Sequence, residues 1–212
     1  SYKYQGVKNL MPVTINGDGS ITGLSVGGLG SGVVNTATLA DGAASGSKLT
    51  MPSGSVIQTV QSVKTGIDSY STGSSTLSDS YFDISGLSVS ITPSSGTKCF
   101  VSYTVNVGGQ AGYGQGLALF RDSTQIYLGD ASGSIQRLSN FDYSSGNDKV
   151  DSMAGQFLDT HGANGSTSVT YKLQMYVATP GWTSRVNRSQ STADTRSWGR
   201  GASSITVMEI AA

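Results

Sequence analysis

The chain has 212 residues, 36% of them hydrophobic and only 12% charged, with 13 basic and 13 acidic side chains that cancel. That balance speaks against duplex nucleic acid, whose binding needs a basic face to release counterions. It speaks equally against a solvated helical protein, whose helix faces consume Glu, Lys and Arg in quantity. No apolar run approaches the ~20 residues that span a bilayer, so no membrane insertion is expected. The chain opens on Ser1 with no signal-peptide pattern and reads as a processed chain or a fragment of a longer one. Cys99 is the single cysteine, so no intrachain disulfide forms; in the alternating stretch Lys98–Tyr103 it reads as a small buried hydrophobe. A net charge of zero gives little protection against association, which suits life in an assembly.

Two regions follow one another. Residues 1–52 read as an extended, glycine-rich shaft or docking segment. Residues 1–50 contain no Phe or Trp, and their two tyrosines stand at the extreme start. From Ile15 to Leu29, isolated Ile, Leu and Val alternate with turn signals such as Asn16-Gly17 and Asp18-Gly19. One such chain buries too little apolar area to fold alone. Several parallel copies sharing a narrow core of Ile, Leu and Val avoid that deficit, and Asn35–Leu49 reads as one repeat of such a shaft. The competing reading is a flexible Gly/Ser linker.

Residues 53–212 read as a β-sandwich head. Ser55–Val63 alternates around Val56 and Val60. Tyr81–Ile84 and Leu87–Thr92 alternate, and the second run stops at the turn cluster Pro93-Ser94-Ser95-Gly96. Phe100–Val107 places Val101, Tyr103, Val105 and Val107 on one face. Leu117–Arg121 passes through Asp122-Ser123-Thr124 into Gln125–Asp130, a hairpin signal. Ser152–Asp159 and Ser168–Val177 are further strands, and Ile205–Ile210 closes the set. About eight to ten strands at hairpin spacing, without a helical window, predict an all-β antiparallel sandwich.

Four stretches carry a family resemblance: Met51–Gln58, Leu87–Ser95, Val186–Ser189 and Gly201–Ile210. With them the C-terminal ~160 residues resemble the head domain at the end of tailed-phage fibre and other virion proteins. Upstream, Thr38-Leu39-Ala40-Asp41-Gly42 is similar to fibre-shaft repeats. The resemblance implies a jelly roll like that of trimeric C1q and tumour-necrosis-factor heads, a homotrimer, and a place in the virion facing the host surface. Its partners would be other virion proteins and a bacterial surface glycan or protein receptor.

Groups able to do chemistry are sparse. His161 lies in the polar loop Leu158–Gly165, where an Asp159–His161–Ser triad can be drawn but two residues of separation rarely hold that geometry, and no nucleophile elbow is present. The glycines of Gly112–Gly116 and Gly28–Gly32 open no helix and read as turn or bulge glycines rather than a phosphate cradle. Asp142, Asp148 and Asp151 fall near one loop without the spacing of a calcium motif. No catalytic residue, metal or cofactor is assigned. The richest segment is 180–201, with both tryptophans and four of the six arginines. Trp and Arg dominate binding hot spots, and aromatic faces stack on sugar rings. Trp182, Arg185, Arg196, Trp198 and Arg200, followed by Tyr113 and Tyr143, are the candidate receptor contacts. Asn187 and Arg188 lean structural, and Trp182 has a competing place at a subunit contact. The leading reading is a non-catalytic adhesin. A capsid decoration, neck or tail-assembly protein is the alternative, and a glycan depolymerase, which needs paired carboxylates, comes last.

Overall fold

The computed structural model describes residues 14–15, 21–22, 51–73, 81–191, 196 and 198–212. The chain divides into two units, Ser1–Thr50 and Met51–Ala212. In the first, β1 (Thr14–Ile15) and β2 (Ile21–Thr22) pair antiparallel, Thr14 opposite Thr22 and Ile15 opposite Ile21. The shaft repeat expected at 35–49 lies outside the described residues.

The second unit contains β3 (Val56–Lys64), β4 (Asp68–Ser71), β5 (Tyr81–Ile91), β6 (Lys98–Gly108), β7 (Gly114–Arg121), β8 (Thr124–Ile126), β9 (Asn140–Tyr143), β10 (Asp151–Asp159), β11 (Val169–Val177), β12 (Thr183–Val186) and β13 (Ser203–Ile210). There is no helix among the described residues, and every pairing is antiparallel. Sheet one is centred on β6. One edge of β6 pairs with β10 along Cys99–Val107; the other is shared end to end by β13, along Lys98–Thr104, and β12, at Val107–Gly108. Beyond these lie β3 on β13 and β4 on β12. Sheet two runs β5-β11-β7, and β8 and β9 divide the free edge of β7 between them.

Alternation explains why the sheets stack. On β6, Cys99, Val101, Tyr103, Val105 and Val107 all point inward and are buried. Leu87, Val89 and Ile91 of β5, Leu117 and Leu119 of β7, Tyr171, Leu173 and Met175 of β11, and Ile205 and Val207 of β13 meet them in one cluster. Each such side chain removed from water contributes roughly 1.5–3 kcal/mol. The result is an antiparallel β-sandwich, as the periodicity predicts.

Several boundaries differ from the sequence reading. The two runs Tyr81–Ile84 and Leu87–Thr92 are one strand, β5. Gly86, at φ +80°, sits where the register on β11 shifts between Lys172 and Gln174, so a bulge carries the chain through the break in alternation. The hairpin after Arg121 forms, but β8 stops at Ile126 rather than reaching Asp130. Tyr127 turns left-handed at φ +54°, and the chain leaves the sheet for a loop over 127–139. β4, β9 and β12 were not predicted; at four residues each they are too short to show a period.

Candidate functional site

The expected contacts gather at one end of the sandwich, where β6, β9 and β11 finish and β7, β10 and β13 begin. Tyr113 and Trp182 stack there, ring centroids 3.5 Å apart and planes 21° from parallel. Trp182 shares the parity of buried Ser184 and Val186, and Tyr113 that of buried Gln115 and Leu117. Both rings are half-buried, and the pair sits outside the buried core cluster. The chain around it is held by backbone bonds: Gly112 N–H to Ser144 O (2.7 Å), Ser144 N–H to Tyr113 O (3.1 Å) and Ala178 N–H to Gly114 O (3.2 Å).

The arginine-rich stretch is anchored at its start. Arg185 donates from Nε to Gln190 Oε1 (2.5 Å) and from Nη1 to Ser69 Oγ (2.7 Å). Burial, and then the neighbouring Arg188 charge, hold its guanidinium below the ordinary value. Arg188 Nε donates to Ser189 O (3.1 Å), and its buried Nη2 has no hydrogen-bond partner among the described residues. Asn187 is fully buried at φ +62°. Its Nδ2 donates to Lys64 O (2.8 Å) and Gly66 O (2.9 Å), and its Oδ1 accepts from Ser203 Oγ (2.6 Å). Arg196 and Arg200 are exposed and Trp198 is half-buried; Gly201 N–H returns to Asn187 O (3.3 Å).

Tyr143 is 64% exposed and belongs to a second aromatic group on the outer face of sheet two. Cross-strand register sets Tyr81, Tyr176, Gly116 and Phe141 in one row, with Gly114 and Tyr143 opposite each other in the next. Tyr81 lies 5.2 Å from Tyr176 and 6.4 Å from Phe120, centroid to centroid. The two glycines are needed: a Cβ on Gly114 would stand 2.6 Å from Phe141 Cζ, and one on Gly116 would stand 2.6 Å from Leu138 Cδ1. Between these parts lies a groove of about 410 Å³, lined by Ser134, Ile135, Gln136, Leu138, Phe141, Tyr176 and Ala178. The sequence reading missed it, because Tyr81, Phe141 and Tyr176 are adjacent only through register.

The outer face of sheet one is different. Thr59, Met208, Phe100 and Leu158 form one row across β3, β13, β6 and β10, and Val56 stands opposite Ile210 beside it. Leu158 and Val56 are each 48% exposed. At the outward positions of these four strands Lys98 is the only charge.

The far end of the sandwich holds two buried carboxylates, Asp159 and Glu209. Gln58, Glu209, Cys99 and Asp159 lie side by side on the inner face. Asp159 accepts from Arg121 Nη1 (2.8 Å) and Tyr171 Oη (2.7 Å), so it does not serve His161. His161 Nδ1 accepts Ala163 N–H (2.8 Å), which leaves Nε2–H for Thr97 Oγ1 (3.3 Å). Burial pushes the Cys99 thiol up against the lowering effect of a hydrogen bond with Tyr171, and the nearby Asp159 and Glu209 charges push it further. Asp142, Asp148 and Asp151 take separate partners in Gln115, Ser191 and Lys149. Among the described residues no three His, Cys, Asp or Glu side chains are grouped to hold a metal ion. A scan of protein-family models finds no match to the chain, and a search of curated proteins finds none.

Proposed function

We propose that the chain is a virion component, the head and upper shaft of a phage tail fibre, which attaches the particle to its host as a homotrimer and without catalysis. The observation that carries the reading is the strand order. With β8 and β9 taken as one split strand, the main strands number eight. Sheet one then reads first, eighth, third, sixth (β3-β13-β6-β10), and sheet two reads second, seventh, fourth, fifth (β5-β11-β7-β8/β9). That is jelly-roll order, an architecture shared by viral and lectin domains, and it is the fold that the fibre-head resemblance implies. Fold alone does not assign function.

The sheet-one face supports the trimer. It presents Met208, Phe100, Leu158 and Ile210 among neutral side chains, with Lys98 at one margin as its single charge, so a second copy meets little like charge there. Four strands about 4.8 Å apart, over about eight residues of about 3.3 Å, give roughly 500 Å² in projection. That is the scale of a standard contact of about 800 Å² of accessible surface per partner. Native mass measurement of the full chain should give three copies. Met208→Lys with Leu158→Asp should give monomers with unchanged far-ultraviolet dichroism. A wild-type monomer would overturn the trimer. Imaging of particles labelled on this chain should place it at fibre tips; label on the capsid or neck would replace the adhesin by a decoration or assembly protein.

A further inference from the structure

We propose that the groove on the outer face of sheet two, between Tyr176, Phe141 and the loop over 134–138, binds a neutral pyranose saccharide. Two aromatic side chains, Tyr176 and Phe141, line it, with Gly116 between them in the row. Such rings accept the apolar C–H face of a sugar ring. Folding leaves Phe141 58% and Ile135 71% exposed, apolar area that a stacked ring removes from water. A volume of about 410 Å³ lies within the ordinary range of small-molecule sites, about 300–1,000 Å³.

The polar groups select the class. Among the described residues the lining holds no charged side chain, so none of them balances a phosphate, a carboxylate or a nucleotide. Its polar members are Ser134, Gln136 and the Tyr176 hydroxyl, each able both to donate and to accept, as sugar hydroxyls do. Burial, and then the nearby Tyr81, push the Tyr176 phenol above its ordinary value, so it stays a neutral donor. Tyr81 reaches Gln136 Oε1 only at 3.4 Å, which leaves most of that amide for a ligand. The site is therefore distinct in chemistry from the arginine-rich segment 185–200, which suits acidic groups.

Position argues against a second copy as the occupant. The groove opens on sheet two, and the charge-poor face proposed for subunit contact is the outer face of sheet one, across the sandwich. A trimer built on sheet one leaves the groove in solvent. This placement rests on the trimer reading; binding by the chain does not.

The test is saturation-transfer NMR on the full chain with glucose, galactose, mannose, N-acetylglucosamine and their β-linked disaccharides, and with glucuronate as the charged control. At least one neutral sugar should receive transfer from aromatic protons, and glucuronate should not. Phe141→Ala should raise the dissociation constant roughly tenfold or more. Ile135→Asp, at an exposed position that leaves the fold intact, should do the same, and Trp198→Ala should change nothing. No transfer to any neutral sugar overturns the proposal, as does equal transfer in Phe141→Ala and Ile135→Asp, or preference for glucuronate. Slow hydrogen exchange over 134–141 in the trimer, lost in Met208→Lys/Leu158→Asp monomers, also overturns it, because the groove is then a subunit contact. Sugar binding by a chain that particle labelling puts outside the fibre sustains this proposal and refutes the adhesin.

Discussion

Asn187→Ala should be among the most damaging single changes in the head. The Asn187 side chain is fully buried and makes three bonds across elements distant in sequence: to Lys64 O and Gly66 O after β3, and to Ser203 Oγ at the start of β13. Ser203 Oγ in turn accepts Asn106 N–H at 3.0 Å. Removing the amide strands two carbonyls and a hydroxyl, at about 1–3 kcal/mol for each that stays dry. Alanine at φ +62° adds about 1 kcal/mol that asparagine largely avoids. With all three left dry the sum is about 4 kcal/mol or more, roughly 8 °C or more of melting temperature for a domain of this size. Thermal and urea unfolding of wild type, Asn187→Ala and Asn187→Gly would separate the terms, since glycine relieves the backbone strain of about 1 kcal/mol but not the lost bonds. An alanine variant melting within about 2 °C of wild type would refute the reasoning. On the proposed adhesin reading the variant also bears on function: Asn187 anchors the chain just before Arg196, Trp198 and Arg200, so its loss should lower attachment without any contact to a receptor.

Glu209 makes the head sensitive to acid. Burial alone would raise its carboxyl, but hydrogen bonds from Gln58, Ser94 N–H and Thr97 outweigh it and hold the group below its ordinary 4.5. A depressed carboxyl contributes stability that is present above the unfolded value and lost as pH falls through the folded one. Melting temperature should therefore drop more steeply below about pH 4.5 in wild type than in Glu209→Gln; parallel curves would count against the assignment. Asp83, lowered by hydrogen bonds from Lys172 and Gln174, is present in both proteins and cancels in the comparison. Trp182→Ala should cost about 1 kcal/mol, because it unstacks the half-buried ring from Tyr113. Trp198→Ala should leave melting unchanged and lower attachment to host cells. If it attaches as wild type does, the segment is structural.

The long strands were legible because a buried face imposes alternation over enough residues to be seen. β6 keeps five inward positions in register, and β11 and β13 do likewise. β4, β9 and β12 owe their existence to neighbours. Arg185 and Val186 complete the edge of β6 that β13 does not reach, and Asn140–Tyr143 completes that of β7. Nothing local in those residues demands a strand. Trp182 was weighed by composition, as one of two tryptophans in an arginine-rich stretch. In the fold it stacks on Tyr113, a partner distant in sequence that composition does not reveal. The groove was hidden for a different reason. Tyr81 and Phe141 stand 60 residues apart in sequence and share a row only through Tyr176 and Gly116. The available signal was Gly114-Gln115-Gly116. Two glycines spaced by two within a strand leave one outer face bare, and a bare face in a folded protein is one that something packs against.

The two ends of the sandwich are held by different means, and the difference bears on where function sits. At the end where β5 gives way to β6, two buried carboxylates do the tying. Asp159 gathers Arg121 and Tyr171, and Glu209 gathers Gln58, Ser94 and Thr97. A buried charge that loses a partner is costly, on the order of 3–5 kcal/mol, so the loops at that end tolerate little change. At the opposite end the buried polar side chains among the described residues are mostly neutral: Thr72, Gln115, Ser144, Ser184, Asn187, Ser189 and Ser203, with Lys64, paired to Asp68 at 2.8 Å, and the half-buried Arg188 as charges. Neutral bonds of about 1 kcal/mol each hold a loop without dictating what its exposed side chains are. Tyr143, Arg196, Trp198 and Arg200 all emerge from that end, and the aromatic groove opens beside it. A recognition surface that must change with its target belongs on the end whose loops can be rewritten while the charged end keeps the two sheets together.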